Sequence, residues 1–381
     1  MGFIKTALWH SYTLLCLFMA SYASESSEGK GGRPVLHHDM SVQHFLNSYD
    51  YFNPYELSPK KLSNVVLAYV TPWNSNGFEK TKIFAQKFSI VSPVWFQLKP
   101  EGLKIEGRHH VDHKWIEAIK AVNADIKVAP RVIFDNWGAG DYQGVFSNNQ
   151  KRLDCIKTLR GLLKEYNFDG ITLEVWMQHF GTSQQSLIDF LIELAKGIHK
   201  DGKLLILPIP PAVYKGNFEG RFNRVHFDLL EPHVDYFSLM SYDYSNPYEP
   251  GENSPVEWII RCIKSLAPEG ADLKRLATKR AKILVGLNFY GYDYVPSKKH
   301  GQAVLRNDVL GVVKSLNPTF KWHEKSAEHS LEYTDNEGQR HSMYFPTAYS
   351  IAKRVAIAEE LGTGLSIWEL GQGFDSFLEQ I

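Results

Sequence analysis

Phe168-Asp169-Gly170-Ile171-Thr172-Leu173-Glu174-Val175-Trp176-Met177-Gln178 decides how the rest of this chain is read. An apolar run follows a turn-forming Asp-Gly pair and ends in large aromatic and polar groups, the pattern of a buried strand that empties into a functional loop. Side chains alternate along a strand, so Thr172, Glu174 and Trp176 share one face; in a closed barrel they point inward or rise to the rim. A glutamate there has two readings: a member of a site, or a buried, hydrogen-bonded group that stiffens the core.

Working outward, seven more short apolar runs appear. Residues 65–70 lead into Thr71-Pro72-Trp73-Asn74, residues 90–96 contain Trp95, and residues 126–134 lead into Asp135-Asn136-Trp137. After the quoted stretch come residues 204–208, 236–240, 283–287 and 364–368. Between runs the apolar spacing turns helical: residues 148–166 place apolar side chains at 153, 156, 159, 162 and 163 on one side. Eight runs alternating with helices predict an α/β fold, a single (β/α)8 TIM barrel. Phe320-Lys321-Trp322, residues 331–334 and residues 339–344, with Asp335-Asn336-Glu337-Gly338 as a turn, predict a small β-hairpin insertion between strands 7 and 8. The last helix is expected over residues 347–361.

Barrel proteins gather their sites at the carboxyl ends of the strands. Here those ends carry Trp73, Trp95, Trp137, Trp176, Tyr242, Tyr244, Tyr290 and Trp368. Aromatic faces stack on the C–H face of a pyranose while their polar tips remain available for hydrogen bonds, so such a rim suits oligosaccharides. Taken singly, each ring also fits ordinary packing. Stacking on nucleobases would call for interleaved basic residues, whereas the strand ends supply Asp135, Glu174, Asp243 and Glu369.

The quoted stretch resembles the fourth-strand signature of glycoside hydrolase family 18, the chitinases, in which Phe-Asp-Gly leads into three acids at alternate positions, the third being the catalytic glutamate. On that pattern Thr172, Glu174 and Trp176 stand at the three acid positions. Met240-Ser241-Tyr242-Asp243-Tyr244 resembles the sixth-strand motif and Gly286-Leu287-Asn288-Phe289-Tyr290-Gly291 the seventh-strand motif. Trp368 is similar to the tryptophan that floors the central sugar subsite. The resemblance covers residues 60–381, and it is nearest to the chitinase domain-containing protein 1 group. It implies that Tyr242 and Asp243 orient an N-acetyl group whose carbonyl oxygen attacks the anomeric carbon. It implies also that the proton donor is missing, and that the Trp368-Glu369 peptide is cis.

The expectation is therefore a chitinase-like, lectin-like protein that binds chito-oligosaccharides or related N-acetylglucosamine-containing glycans without hydrolysis. No catalytic residue is assigned. The binding set is Trp73, Trp95, Trp137, Glu174, Trp176, Tyr242, Asp243, Tyr290, Trp368 and Glu369. The alternative is an active glycosidase that uses a non-standard acid such as Glu174. A third reading, a protein-binding barrel, requires a cleft filled by its own side chains. No metal or other cofactor is called for.

Forty-two basic residues against 42 acidic ones leave no net electrostatic footprint for nucleic acid or an anionic membrane. Residues 1–23 read as a signal peptide, with Lys5, a mainly apolar run over residues 7–20, and Ser21 and Ala23 before the cleavage point. That run is shorter than the ~20 apolar residues a span requires, so no membrane span is expected in the mature chain. Residues 24–36 read as a flexible polar lead-in and residues 37–381 as the barrel. The expected product is secreted and monomeric, with endosomal or lysosomal residence as a further destination; the sequence names no receptor. Cys155 and Cys262 are left open between two buried thiols and a bridge.

Overall fold

The computed structural model describes residues 36–52, 60–179, 184–296, 298 and 300–381. The signal peptide expected over residues 1–23, and all of the lead-in but Leu36, lie outside them. The barrel expected from the eight runs is present. Its first strand is Val66–Val70, its fourth Gly170–Glu174, its fifth Leu204–Ile209, its sixth Tyr236–Leu239, its seventh Ile283–Asn288 and its eighth Gly364–Trp368. The second and third strands are each broken, into Ile90–Pro93 with Phe96–Leu98 and Lys127–Val128 with Arg131–Phe134. Every neighbour pairs in parallel, and the eighth strand returns to the first through Val66 opposite Leu365. The ring of eight strands therefore closes through the two halves of the second and third, with Ile105–Glu106 added antiparallel beside Phe96–Leu98.

The closed sheet separates two apolar regions. Leu67, Tyr69, Ile90, Val94, Ala129, Ile206 and Leu284 pack together inside the barrel. A larger cluster, including Val66, Ala68 and Val70, fills the space between strands and helices. The first run is apolar throughout because its alternate residues serve these two regions. In the barrel the Tyr69 hydroxyl donates to Ser238 Oγ at 2.9 Å, and Ser238 donates to Ser366 Oγ at 3.1 Å. These bonds satisfy polar groups that burial would otherwise leave costly.

The helix expected before the fourth strand spans Asn149–Tyr166. The Asn148 side chain caps it by accepting from the Lys151 amide, and Asn167, with φ of 51°, ends it in the left-handed region. Its buried face is Cys155, Ile156, Leu159, Leu162 and Leu163, while Leu153 stays exposed. The Asp-Gly pair that follows has a distinct task in each residue. Asp169 accepts from the Val128 amide at 2.8 Å and from Lys120 Nζ at 3.0 Å, fixing the third strand to the fourth. Gly170 lies so close to the fifth strand that a Cβ would stand 2.6 Å from the Leu204 carbonyl oxygen. Cys155 and Cys262 are free thiols, both buried.

The insertion between strands 7 and 8 is larger than the hairpin expected. Gly291–Tyr294, Gln302–Val304, Thr319–His323, Glu328–Thr334 and Arg340–Tyr344 form a five-stranded antiparallel sheet, with the helix Arg306–Leu316 between its second and third strands in sequence. Its first two strands are short and lie among Tyr, Gly and Val residues that continue the seventh-strand motif, so the sequence pattern did not separate them from the barrel. The last helix, Ala348–Leu361, ends at Gly362 with φ of 70° and feeds the eighth strand. Among the described residues no helix is long and apolar enough to cross a membrane.

Candidate functional site

The site is built at the carboxyl ends of the strands. Trp368 closes the eighth strand half-buried, and the Tyr69 ring meets it edge-on at 5.3 Å between centroids. Beyond it Tyr290, Tyr292 and Tyr294 form a cluster against which Tyr242, Tyr344 and Trp368 pack. Gly286 makes room for this arrangement, since a Cβ there would stand 2.8 Å from the Tyr242 ring. Burial pushes the Tyr242 hydroxyl well above its ordinary pKa, with Tyr69, Asp243 and Glu174 adding to the effect. It is thus a neutral hydrogen-bonding group at any physiological pH.

Asp243 takes a left-handed backbone conformation, φ of 59°, which aspartate tolerates better than most residues. Its amide donates to Asn253 Oδ1 at 2.7 Å. Asn253 is held in turn through its own amide, which donates to Glu328 Oε2 at 3.0 Å, and Glu328 pairs with Arg354 at 2.9 Å. A buried ion pair between the insertion and the last helix therefore sets the loop that carries Asp243. The Asp243 Oδ1 accepts from the hydroxyls of Tyr290 and Tyr292. Although the residue is open on one side, the protein packed around its carboxyl strips water from it and raises its pKa. The two tyrosine bonds offset part of that rise.

Glu174 ends the fourth strand with both oxygens committed. Oε2 accepts from Arg131 Nε at 2.6 Å and Oε1 from Gln178 Nε2 at 2.8 Å. The charges of Arg131 and Glu174 both act on the Tyr69 hydroxyl, whose ring in turn meets Trp368 edge-on. Both oxygens are thus engaged as acceptors in the arrangement seen.

Several residues expected at the site are elsewhere. Thr172 and Glu174 both bond to the third strand, Thr172 through its hydroxyl to the Ala129 carbonyl at 3.1 Å. Trp176 does not continue their face: the strand ends at Glu174 and the chain turns. Its ring, 5% exposed, packs edge-on to Phe222 at 4.8 Å and against His226, and its Nε1 donates to the Arg221 carbonyl at 3.3 Å. Trp95 is fully buried, because the break in the second strand puts Trp95 and Phe96 successively into the outer core, where Trp95 meets Phe78, Trp115 and Phe168. Trp137 packs against Phe134 and Tyr142, with its Nε1 spent on the Leu98 carbonyl. Trp95 and Trp176 are therefore packed in the core, while Trp137 is partly buried with one polar atom committed to the protein. Trp73 is 70% exposed in the loop after the first strand.

Glu369 is wholly buried and turned toward that loop: Asn74 Nδ2 donates to its Oε1 at 2.6 Å and the Gly371 amide to its Oε2 at 3.1 Å. Burial pushes its pKa up to about 7, against those two bonds and the charge of Lys80. It braces the Trp73 loop beside Trp368 and has no exposed surface. The Trp368-Glu369 peptide is cis.

The structure thus joins Glu174, Tyr242, Asp243, Tyr290 and Trp368, and adds Tyr69, Arg131 and Tyr292. The added residues left signals: Tyr69 shares the inward face of Leu67, Arg131 is a charge within an apolar run, and Tyr292 follows Tyr290 at strand spacing.

Residues 42–373 match the family model for glycosyl hydrolases family 18. A cortical fragment-lytic enzyme of Bacillus subtilis is 26% identical over 198 residues, 49% of this chain and 42% of that protein. The probable chitinase 2 of Drosophila melanogaster is 23% identical over 296 residues, 74% of this chain and 56% of that protein. The chain thus spans about half the length of the curated relatives it matches. Among solved structures, a chitinase from Chromobacterium violaceum superposes with a TM-score of 0.68 at 19% identity, covering 84% of this chain and 98% of that one. A Cycas revoluta chitinase in complex with (GlcNAc)3 superposes at 0.66 and 15% identity, covering 82% and 97%. Identities this low speak for the fold alone, but the family match spans most of the chain, and the protein belongs to glycosyl hydrolases family 18.

Proposed function

We propose that this protein binds N-acetylglucosamine-containing oligosaccharides at the strand ends of its barrel and does not hydrolyse them. One observation carries the reading: Trp176, which the resemblance aligns with the third acid of the family pattern, lies just past the fourth strand and is buried against Phe222 and His226, and the nearby Glu174 is tied to Arg131 and Gln178. General-acid catalysis needs a proton-bearing group within roughly 3 Å of the leaving oxygen, and its loss costs about 10² to 10⁴ in rate. Trp368, Tyr242 and the Asp243–Tyr290 pair meanwhile retain the groups that hold a sugar ring and its N-acetyl substituent. The chito-oligosaccharide class is supported by the family and by the (GlcNAc)3 complex of the Cycas revoluta chitinase. A glycan-array screen paired with a fluorogenic chito-oligosaccharide assay tests both halves.

Hydrolysis through Asp243 is the second reading, favoured by burial that raises the pKa of its carboxyl beside the aromatic rings, the direction of shift a proton donor requires. An Asp243→Asn variant that loses turnover while still binding sugar would establish it.

The proposal extends to a monomer that enters the secretory pathway through residues 1–23, with endosomal or lysosomal residence as an onward destination. In its motifs the chain resembles the chitinase domain-containing protein 1 group. Sequencing the amino terminus of the protein recovered from culture medium and from lysosomes tests the export route.

A further inference from the structure

We propose that Arg131 makes this cleft selective for oligosaccharides that carry a carboxylate beside their N-acetyl groups. The inference rests on the sugar-binding reading above and deepens it. Arg131 opens the second segment of the third strand, opposite Thr172, and its side chain keeps 13% exposure in the barrel mouth. A guanidinium presents five N–H groups in a rigid fork. Here Nε is spent on Glu174 Oε2 at 2.6 Å, while among the described residues no protein group accepts from Nη1 or Nη2.

The surroundings explain why that outer edge is available. Glu174 cannot turn to cover it, because its other oxygen is held by Gln178. Tyr69, whose hydroxyl lies in the field of both charges, donates instead to Ser238. Glu174 cancels much of the arginine charge at short range, yet the two terminal nitrogens remain directional donors. Two parallel N–H donors match the two oxygens of a planar carboxylate, and each such charge-assisted bond is roughly twice as strong as a neutral one. A single sugar hydroxyl oxygen cannot form both bonds in parallel. Placed near Trp368 by way of Tyr69, the fork meets a group on the sugar that stacks there or on the next ring.

A carboxylate reaches that point from a uronic acid ring or from a lactyl ether on the amino sugar itself. Titration calorimetry on the full chain separates them with matched pairs. One is a hyaluronan tetrasaccharide and its methyl ester; the other is an N-acetylglucosaminyl-N-acetylmuramic acid disaccharide and its methyl ester. In at least one pair, esterification weakens binding to the wild type by about tenfold or more. The paired change Arg131→Gln with Glu174→Gln, which leaves no unpaired charge, erases the difference. Arg131→Lys, which keeps the charge and drops the fork, loses most of it. Equal affinity for acid and ester in both pairs on the wild type, a result that needs no variant to fold, overturns the proposal. So does a preference that survives the paired change. Chitotetraose serves as the control: no binding to the wild type counts against the sugar-binding reading, whereas chitotetraose binding with no acid–ester difference counts against the Arg131 inference alone.

Discussion

Arg131 Nε and Glu174 Oε2 meet at 2.6 Å across the third and fourth strands, and this pair engages the one carboxylate among the three acid positions of the fourth-strand pattern. Because both side chains are largely but not wholly buried, each single change to glutamine leaves its partner uncompensated. Glu174→Gln and Arg131→Gln are each expected to destabilise the fold by about 1–3 kcal/mol, with a coupling of about 1–2 kcal/mol in the double-variant cycle. Urea denaturation measures it, and strictly additive effects would show that the contact contributes nothing.

The tryptophans divide into two groups with opposite signatures. Trp95→Ala and Trp176→Ala remove rings from packed surroundings and should cost about 3–5 kcal/mol of stability. Trp368→Ala should fold and lose on the order of 1–3 kcal/mol of sugar affinity. Unchanged affinity in a folded Trp368→Ala protein would move the sugar away from the eighth strand.

Glu369 predicts a pH dependence of stability. Its pKa in the fold, about 7, lies above the ordinary 4.5 of an unfolded glutamate, so the folded state holds the proton more tightly. That contribution is complete below pH 4.5 and is lost as pH rises through 7. The difference corresponds to roughly 3 kcal/mol. Glu369→Gln should flatten this part of the profile, gaining stability relative to wild type between pH 5 and about 8. Thermal melts of both proteins across that range check it; parallel profiles would count against the assignment.

Tyr290→Phe removes one of the two hydroxyl bonds that hold the Asp243 carboxyl down. The Asp243 pKa should therefore rise further. If the ionised carboxylate is what holds the N-acetyl group, the acid limb of sugar binding moves to higher pH. Calorimetric titrations at a series of pH values report that limb, and an unmoved limb would mean that Asp243 does not touch the sugar.

How far the sequence could be read depended on whether a residue's task is local. Eight strands and the helices between them were legible because alternation and helical spacing are properties of short stretches. That Trp368, Tyr242, Asp243 and Tyr290 lie together was legible for a similar reason: they end or closely follow strands whose ends must meet. Trp95 was misread because a break at Val94 and Trp95, beside another at Ala129 and Pro130, interrupts the alternation and turns the ring outward. Trp176 was misread because the strand stops two residues before it. Arg131 was passed over since its meaning lies in a partner 43 positions away, and Glu369 looked like a rim carboxylate because nothing local marks Asn74 as its donor.

The central claim is sugar binding without hydrolysis, and a single experiment on purified wild-type protein decides it. Chito-oligosaccharide affinity is measured by calorimetry alongside turnover of a fluorogenic chito-oligosaccharide between about pH 4 and 8, the range over which a carboxylic acid can be tuned to donate a proton. The account predicts saturable binding with turnover no greater than a buffer control at every pH. Turnover by the wild type that disappears in Glu174→Gln or Asp243→Asn would contradict it.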